Sequence, residues 1–119
     1  MGVVEIQVFR LTTDSHEEIE KEFAQAERAR ARGNEGQARV CARRAAGIAI
    51  REYLERRGIR PRTTSAYDLL NLLKDDPLLS PDLRLIADHL TLRVTEEFKL
   101  PMDADLVAEA RILCRELLQ

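Results

Sequence analysis

Residues 37–57 read QARVCARRAAGIAIREYLERR, a single helix whose apolar residues are mostly small and whose charges are almost all arginine. Ala38, Ala42, Ala45 and Ala49 recur at i, i+4, i+7 and i+11, which at roughly 100° per residue places them on one stripe. A second helix can approach such a stripe closely. Arg43, Gly47, Ile50 and Leu54 form a further row on another side, so the helix is apolar around much of its circumference and belongs at the centre of a bundle.

At 119 residues the chain makes one domain. That length is enough to bury about two-thirds of the unfolded surface without disulfide or metal. The 45% apolar and 34% charged composition, with 5 Gly and 4 Pro, is that of a folded helical protein rather than a disordered one. The 4% aromatic content and the lack of Trp argue against a stacking platform for single strands and leave Leu, Ile and Ala to fill the core. Cys41 and Cys114 lie in helical apolar patterns without CxxC spacing or a nearby His, so they read as buried, reduced thiols. There is no Gly-rich phosphate loop, nucleophile elbow or zinc spacing, and no metal or cofactor is expected. No signal sequence or apolar run of membrane-spanning length is visible, so a cytoplasmic location without membrane association is the default expectation.

The net charge of −2 hides a segregation of sign. Asp14, Glu17, Glu18, Glu20, Glu22 and Glu27 face Lys21 alone, whereas the region 39–62 is arginine-rich. Two readings stay open. An antiparallel hairpin could bring the acidic and basic helices together and neutralise both. Alternatively Arg39, Arg43 and Arg44 bind a nucleotide or phosphate, which would show as steep salt dependence.

Around the central helix the chain divides as follows. Val4, Ile6 and Val8 alternate, predicting an extended N-terminal arm or strand over residues 1–13, paired with a second copy or lying along the bundle. Residues 14–119 form the helical domain. Ser15 with Glu18 makes a capping box that starts a helix near His16 and carries it to about Arg32, with Ile19, Phe23 and Ala26 on a narrow inner face. Gly33-Asn34-Glu35-Gly36 breaks it, and Gly58 ends the central helix. Ser65 with Asp68 caps a short helix from Ala66 to about Lys74. Ser80-Pro81 starts a fourth helix, expected to reach Phe98 before Pro101, and Asp103 caps a fifth through Leu117. The expected fold is therefore all-α: an up-and-down bundle of about five helices, four long and one short, with a short extended N-terminal segment.

The order of residues carries a resemblance. Ala38-Arg39-x-x-Ala42-Arg43-x-Ala45-Ala46-x-x-Ala49-Ile50-x-x-Tyr53-Leu54, then Gly58, then Tyr67-Asp68-Leu69-Leu70-x-Leu72-Leu73, resembles the HEPN domain family. Phe98-Lys99-Leu100-Pro101 and Glu109-Ala110 resemble its later features. The resemblance implies a helical bundle that dimerises. Many members are encoded beside a minimal nucleotidyltransferase as a toxin–antitoxin or nucleotide-linked pair; others are metal-independent ribonucleases bearing Arg-x(4–6)-His. Arg84-Leu-Ile-Ala-Asp-His89 has that spacing. Leu85 and Thr91 depart from the polar residue after the Arg and the aromatic residue after the His of active members.

Positions five apart on a helix diverge by about 140°, so Arg84 and His89 converge only if two subunits share a cleft. In an active site His89 would accept the ribose 2′-OH proton while Arg84 stabilised the phosphate. The alternative is a structural pair, Arg84 with Asp88 at i+4, and His89 at the edge of an interface. Leu83, Ile86, Ala87, Leu90, Val94 and Phe98 make a broad core stripe, and Leu85 and Leu92 lie opposite it as candidate subunit-interface residues. His16 reads as exposed, Asp75-Asp76 as a helix end, and Tyr53 and Tyr67 as packing residues. The expected function is a dimeric nucleotide- or RNA-associated interaction module, with a nucleotidyltransferase as a possible partner; the alternative is a metal-independent endoribonuclease using Arg84 and His89.

Overall fold

A computed structural model describes residues 2–92 and 104–119, with side chains described for 15–92 and 104–119. Among the described residues five helices form: α1 (Gly2–Ala31), α2 (Glu35–Arg56), α3 (Ala66–Lys74), α4 (Pro81–Thr91) and α5 (Leu106–Leu117). The fold is an all-α bundle in which α2 touches α1, α3 and α5. Ala38, Ala42, Ala45 and Ala49 are completely buried, as their spacing predicts. Side chains this small let the neighbouring backbones approach toward the lower end of the usual 8–10 Å separation of packed helices.

Each element begins where local chemistry stops a neighbour. Gly33, at φ 78°, closes α1 in a conformation that disfavours other residues. Asn34 then caps α2, its side chain accepting the Gln37 N–H at 3.1 Å. Ser65 accepts from the Asp68 N–H, and Ser80, with Pro81 behind it, from the Leu83 N–H, both at 3.3 Å. Such caps are worth about 1 kcal/mol each. Leu69, Leu70 and Leu73 of α3 and Leu106 and Leu113 of α5 close over α2, and Leu90 of α4, a helix that packs on α3 and α5, is buried with them, all at 0–2% exposure. Each contributes roughly 1.5–3 kcal/mol relative to leaving it in water.

Three boundaries differ from the sequence expectation. Residues 2–13 are not an extended arm but the first turns of α1, which passes through Ser15 and Glu18 without starting there. Among the described residues there is no strand to pair with an extended segment. A helix satisfies the backbone within itself, so that requirement outweighs the period-two pattern of Val4, Ile6 and Val8. The fourth helix stops at Thr91, with Leu92 extended at φ −66° and ψ 141°. Arg43 supplies the reason: its Nε donates to the Leu90 carbonyl at 2.8 Å and its Nη2 to that of Leu92 at 3.4 Å, meeting groups that further helix would have used. Thr91 adds to this by donating its hydroxyl to the carbonyls of Ala87 and Asp88. Val94, Phe98 and the turn at Pro101 lie outside the described residues, as does Asp103. The cap of α5 is Asp105, which accepts the Ala108 N–H at 3.1 Å.

Asp105 is also one corner of a junction. Arg30, at the end of α1, grips both oxygens of Glu35 on α2 at 2.6 and 3.1 Å and reaches Asp105 at 2.9 Å. Hydrogen bonds from Arg30 are the main reason both carboxyls sit below their ordinary pKa. One guanidinium thereby ties three helix ends together.

Candidate functional site

On α4, Arg84 and His89 project to opposite flanks. Arg84 turns back toward the α3–α4 connection, its Nη2 donating to the carbonyls of Asp76 at 2.9 Å and Leu79 at 3.3 Å. It does not pair with Asp88 as the i+4 spacing suggested; Asp88 instead meets Lys74 of α3 at 3.3 Å. His89 faces α5, with Nδ1 2.6 Å from Glu109 Oε1. An ionised carboxylate can only accept, so this contact favours a ring that carries a proton on Nδ1, and it leaves Nε2 outside the contact. Both side chains are about four-fifths covered, at 18% and 20% exposure.

Within one subunit, then, the Arg and His are not brought together. Between them lies Leu85, 55% exposed, with Leu92 half-buried at the helix end. Of the two proposed interface leucines, Leu85 is the one with a large surface left to cover.

The arginines of α2 meet different fates. Arg43 is engaged on the end of α4, and burial, helped by the neighbouring charge of Arg39, pushes its pKa below the ordinary guanidinium value. Arg39 is half-buried, and its Nε has no hydrogen-bond partner among the described residues. Arg44 is exposed and lines a groove of about 830 Å³ running along α2 beside α1 and the start of α3. Among the described residues no carboxylate of α1 pairs with an arginine of α2. Glu27 lies 3.8 Å from Arg111 of α5, Arg56 pairs with Glu52 at 2.8 Å, and Arg57 with Asp76 at 2.7 Å.

Asp76, read from sequence as part of a helix end, is a hub. One oxygen accepts from the Tyr53 hydroxyl and from Arg57, each at 2.7 Å, and the other from the Leu78 N–H at 2.9 Å. Burial works against its ionisation and is the largest single influence, but the bonds from Tyr53, Leu78 and Arg57 together outweigh it and hold the carboxyl below its ordinary value. Its partners, Arg57 at the C-terminal cap of α2 and Tyr53 within it, lie 19 and 23 positions away, so no local pattern advertises the hub.

Cys41 and Cys114 are free and buried, in line with the sequence reading. Burial raises the Cys114 thiol to about 12, so it stays protonated and unreactive at neutral pH. Among the described residues no group of three or more His, Cys, Asp and Glu side chains is arranged to hold a metal, and no helix is long and apolar enough to cross a membrane. In comparisons with known proteins, no family model, curated protein or solved structure matches the chain.

Proposed function

We propose that the protein is a HEPN-like interaction module that works by binding rather than by catalysis, and that it associates with a second copy through the outer face of α4. The observation that carries this reading is the division of α4. Arg84 is engaged on the turn before the helix and His89 on α5, while Leu85 between them faces outward without cover. A large apolar side chain beside a twofold axis meets its own copy, which makes a self-complementary contact. A minimal nucleotidyltransferase, nucleotide or RNA is the further partner class that the family resemblance suggests, and a cytoplasmic setting suits it.

A second reading, a metal-independent endoribonuclease, draws support from one feature. Glu109 holds His89 through Nδ1 and leaves Nε2 outside the contact, an arrangement that general-base catalysis also uses. One pair of measurements separates them. Wild-type protein and His89→Ala are incubated with structured RNA in EDTA, and the sizes of wild type and Leu85→Glu are compared by sedimentation. The module reading expects no cleavage above background from either RNA sample and a dimer that Leu85→Glu converts to monomer. Cleavage abolished by His89→Ala would establish the nuclease, and a wild-type monomer at micromolar concentration would remove the dimer.

A further inference from the structure

Asp76 gathers more than the α3–α4 connection and α2. Three segments meet at it: the end of α2 through Arg57, the connection through the Leu78 N–H, and the start of α4 through Arg84, which donates to its carbonyl. Each segment carries a large apolar side chain that faces water. Ile59, two positions past Arg57, is 47% exposed, Leu78 is 75% exposed, and Leu85, next to Arg84, is 55% exposed. These are three of the six large apolar side chains left exposed among the described residues, and Leu78 is the barest of them.

The charges of the same segments, residues 57–62 and 75–85, divide into spent and unspent. Arg57 is held by Asp76, and Arg84 by the carbonyls of Asp76 and Leu79. Arg60, Arg62, Asp75 and Asp82 are exposed, and among the described residues none of them joins an ion pair. Two free cations beside Ile59 and two free anions that bracket Leu78 along the chain therefore do not meet inside one subunit. A partner of uniform charge would gain on one pair and lose on the other. A second copy of the same surface would not, because a twofold axis can bring the cations of each subunit onto the anions of the other.

Both sides of this surface are braced in advance. Gly58 turns the chain at φ 78°, the Ile59 N–H returns to the Leu54 carbonyl at 2.9 Å, and Arg51 holds the Thr63 carbonyl at 2.8 Å. Across the hub the Leu78 N–H donates to Asp76 at 2.9 Å. A surface fixed in this way loses little conformational freedom on association.

We propose, resting on the reading of the protein as a self-associating module, that the contact begun by Leu85 extends across the Asp76 hub. Leu78 and Ile59 fill its apolar centre, and Arg60 and Arg62 of one copy pair with Asp75 and Asp82 of the other. The chain thereby selects its own copy over a partner of either sign.

Sedimentation of the full chain gives the dimer dissociation constant. Leu78→Glu should raise it about tenfold or more, as for an anchor near the centre of an interface. One chain carrying Arg60→Glu with Arg62→Glu, and another carrying Asp75→Lys with Asp82→Lys, should each self-associate about tenfold more weakly or worse, since like charges then face each other in both halves of the contact. Mixed in equal amounts, with a fluorescent label on one, they should form a heterodimer of near wild-type affinity: one half holds reversed pairs and the other native ones. Melting curves verify that all the variants fold. A dimer that Leu78→Glu leaves intact, charge variants that associate like wild type, or a mixture no tighter than its components would overturn the proposal. If Leu85→Glu alone breaks the dimer, the module reading survives and only the hub contact falls, whereas a monomeric wild type removes both.

Discussion

Along the α1–α2 hairpin the buried residues are mostly alanine, whereas the α3–α4 arm buries Leu69, Leu70, Leu73, Leu79 and Leu90. The hairpin gains from length: many small contacts between two long helices whose backbones lie close. The arm is short, and it adds polar clasps to its leucines, with Asp76 held by Tyr53 and Arg57, Arg84 on the carbonyls of the connection, and Lys74 on Asp88. A seam of small residues fails by crowding. A leucine-filled arm fails by cavities and by the loss of a clasp.

Substitutions of opposite sense should therefore both destabilise, and most strongly. Leu70→Ala opens a cavity in the arm and should cost about 2–5 kcal/mol. Ala45→Leu forces new volume into the hairpin seam and should cost about 1–3 kcal/mol or more. Urea midpoints measure both, and a neutral Ala45→Leu would show that the seam has slack and that the contrast between the regions is false.

The clasp comes next. Asp76→Asn keeps the shape but loses the charge, and should cost about 1.5–3 kcal/mol at neutral pH, as for a hydrogen bond to a charged group. Because the folded carboxyl has a depressed pKa, its contribution is complete above the pKa of an unfolded aspartate, about 3.9. It drains away as pH falls below that value and through the folded pKa. Melting temperatures of wild type and variant should therefore converge in acid, whereas a gap independent of pH would separate the role of Asp76 from its charge.

The smallest effect is expected where hairpin and arm touch. A Cβ at Gly47 would stand 3.0 Å from Ala66 Cβ and 3.1 Å from its Cα. Replacing glycine inside a helix gains about 1 kcal/mol of propensity, while pushing the first turn of α3 aside costs about 1–3 kcal/mol. Gly47→Ala should lose about 1 kcal/mol net by chemical denaturation; a stabilised variant would show that α3 yields freely at its start.

Much of the fold was legible in the chain. The span of α3, from Ala66 to Lys74, and the Ser65 and Ser80 caps follow from interactions within three or four residues, and the alanine stripe from periodicity alone. The N-terminal turns of α1 were not legible, because Val4, Ile6 and Val8 satisfy an extended pattern as well as they fit a helix. Of the candidate site, the exposure of Leu85 followed from its position opposite the core stripe. The destinations of Arg84, His89 and Arg43 did not.

The helices from α2 onward, the Ser65 and Ser80 caps and the burial of Ala38, Ala42, Ala45 and Ala49 are written in short-range chemistry and in the 3.6-residue period, so the chain alone was enough to establish them. Which carboxylate or carbonyl each charged side chain finds became known from the packed bundle. Glu109 lies 20 positions from His89, and Leu90 lies 47 from Arg43. Long flexible cations have many possible partners along a chain, and the choice among them is made by how the helices stack.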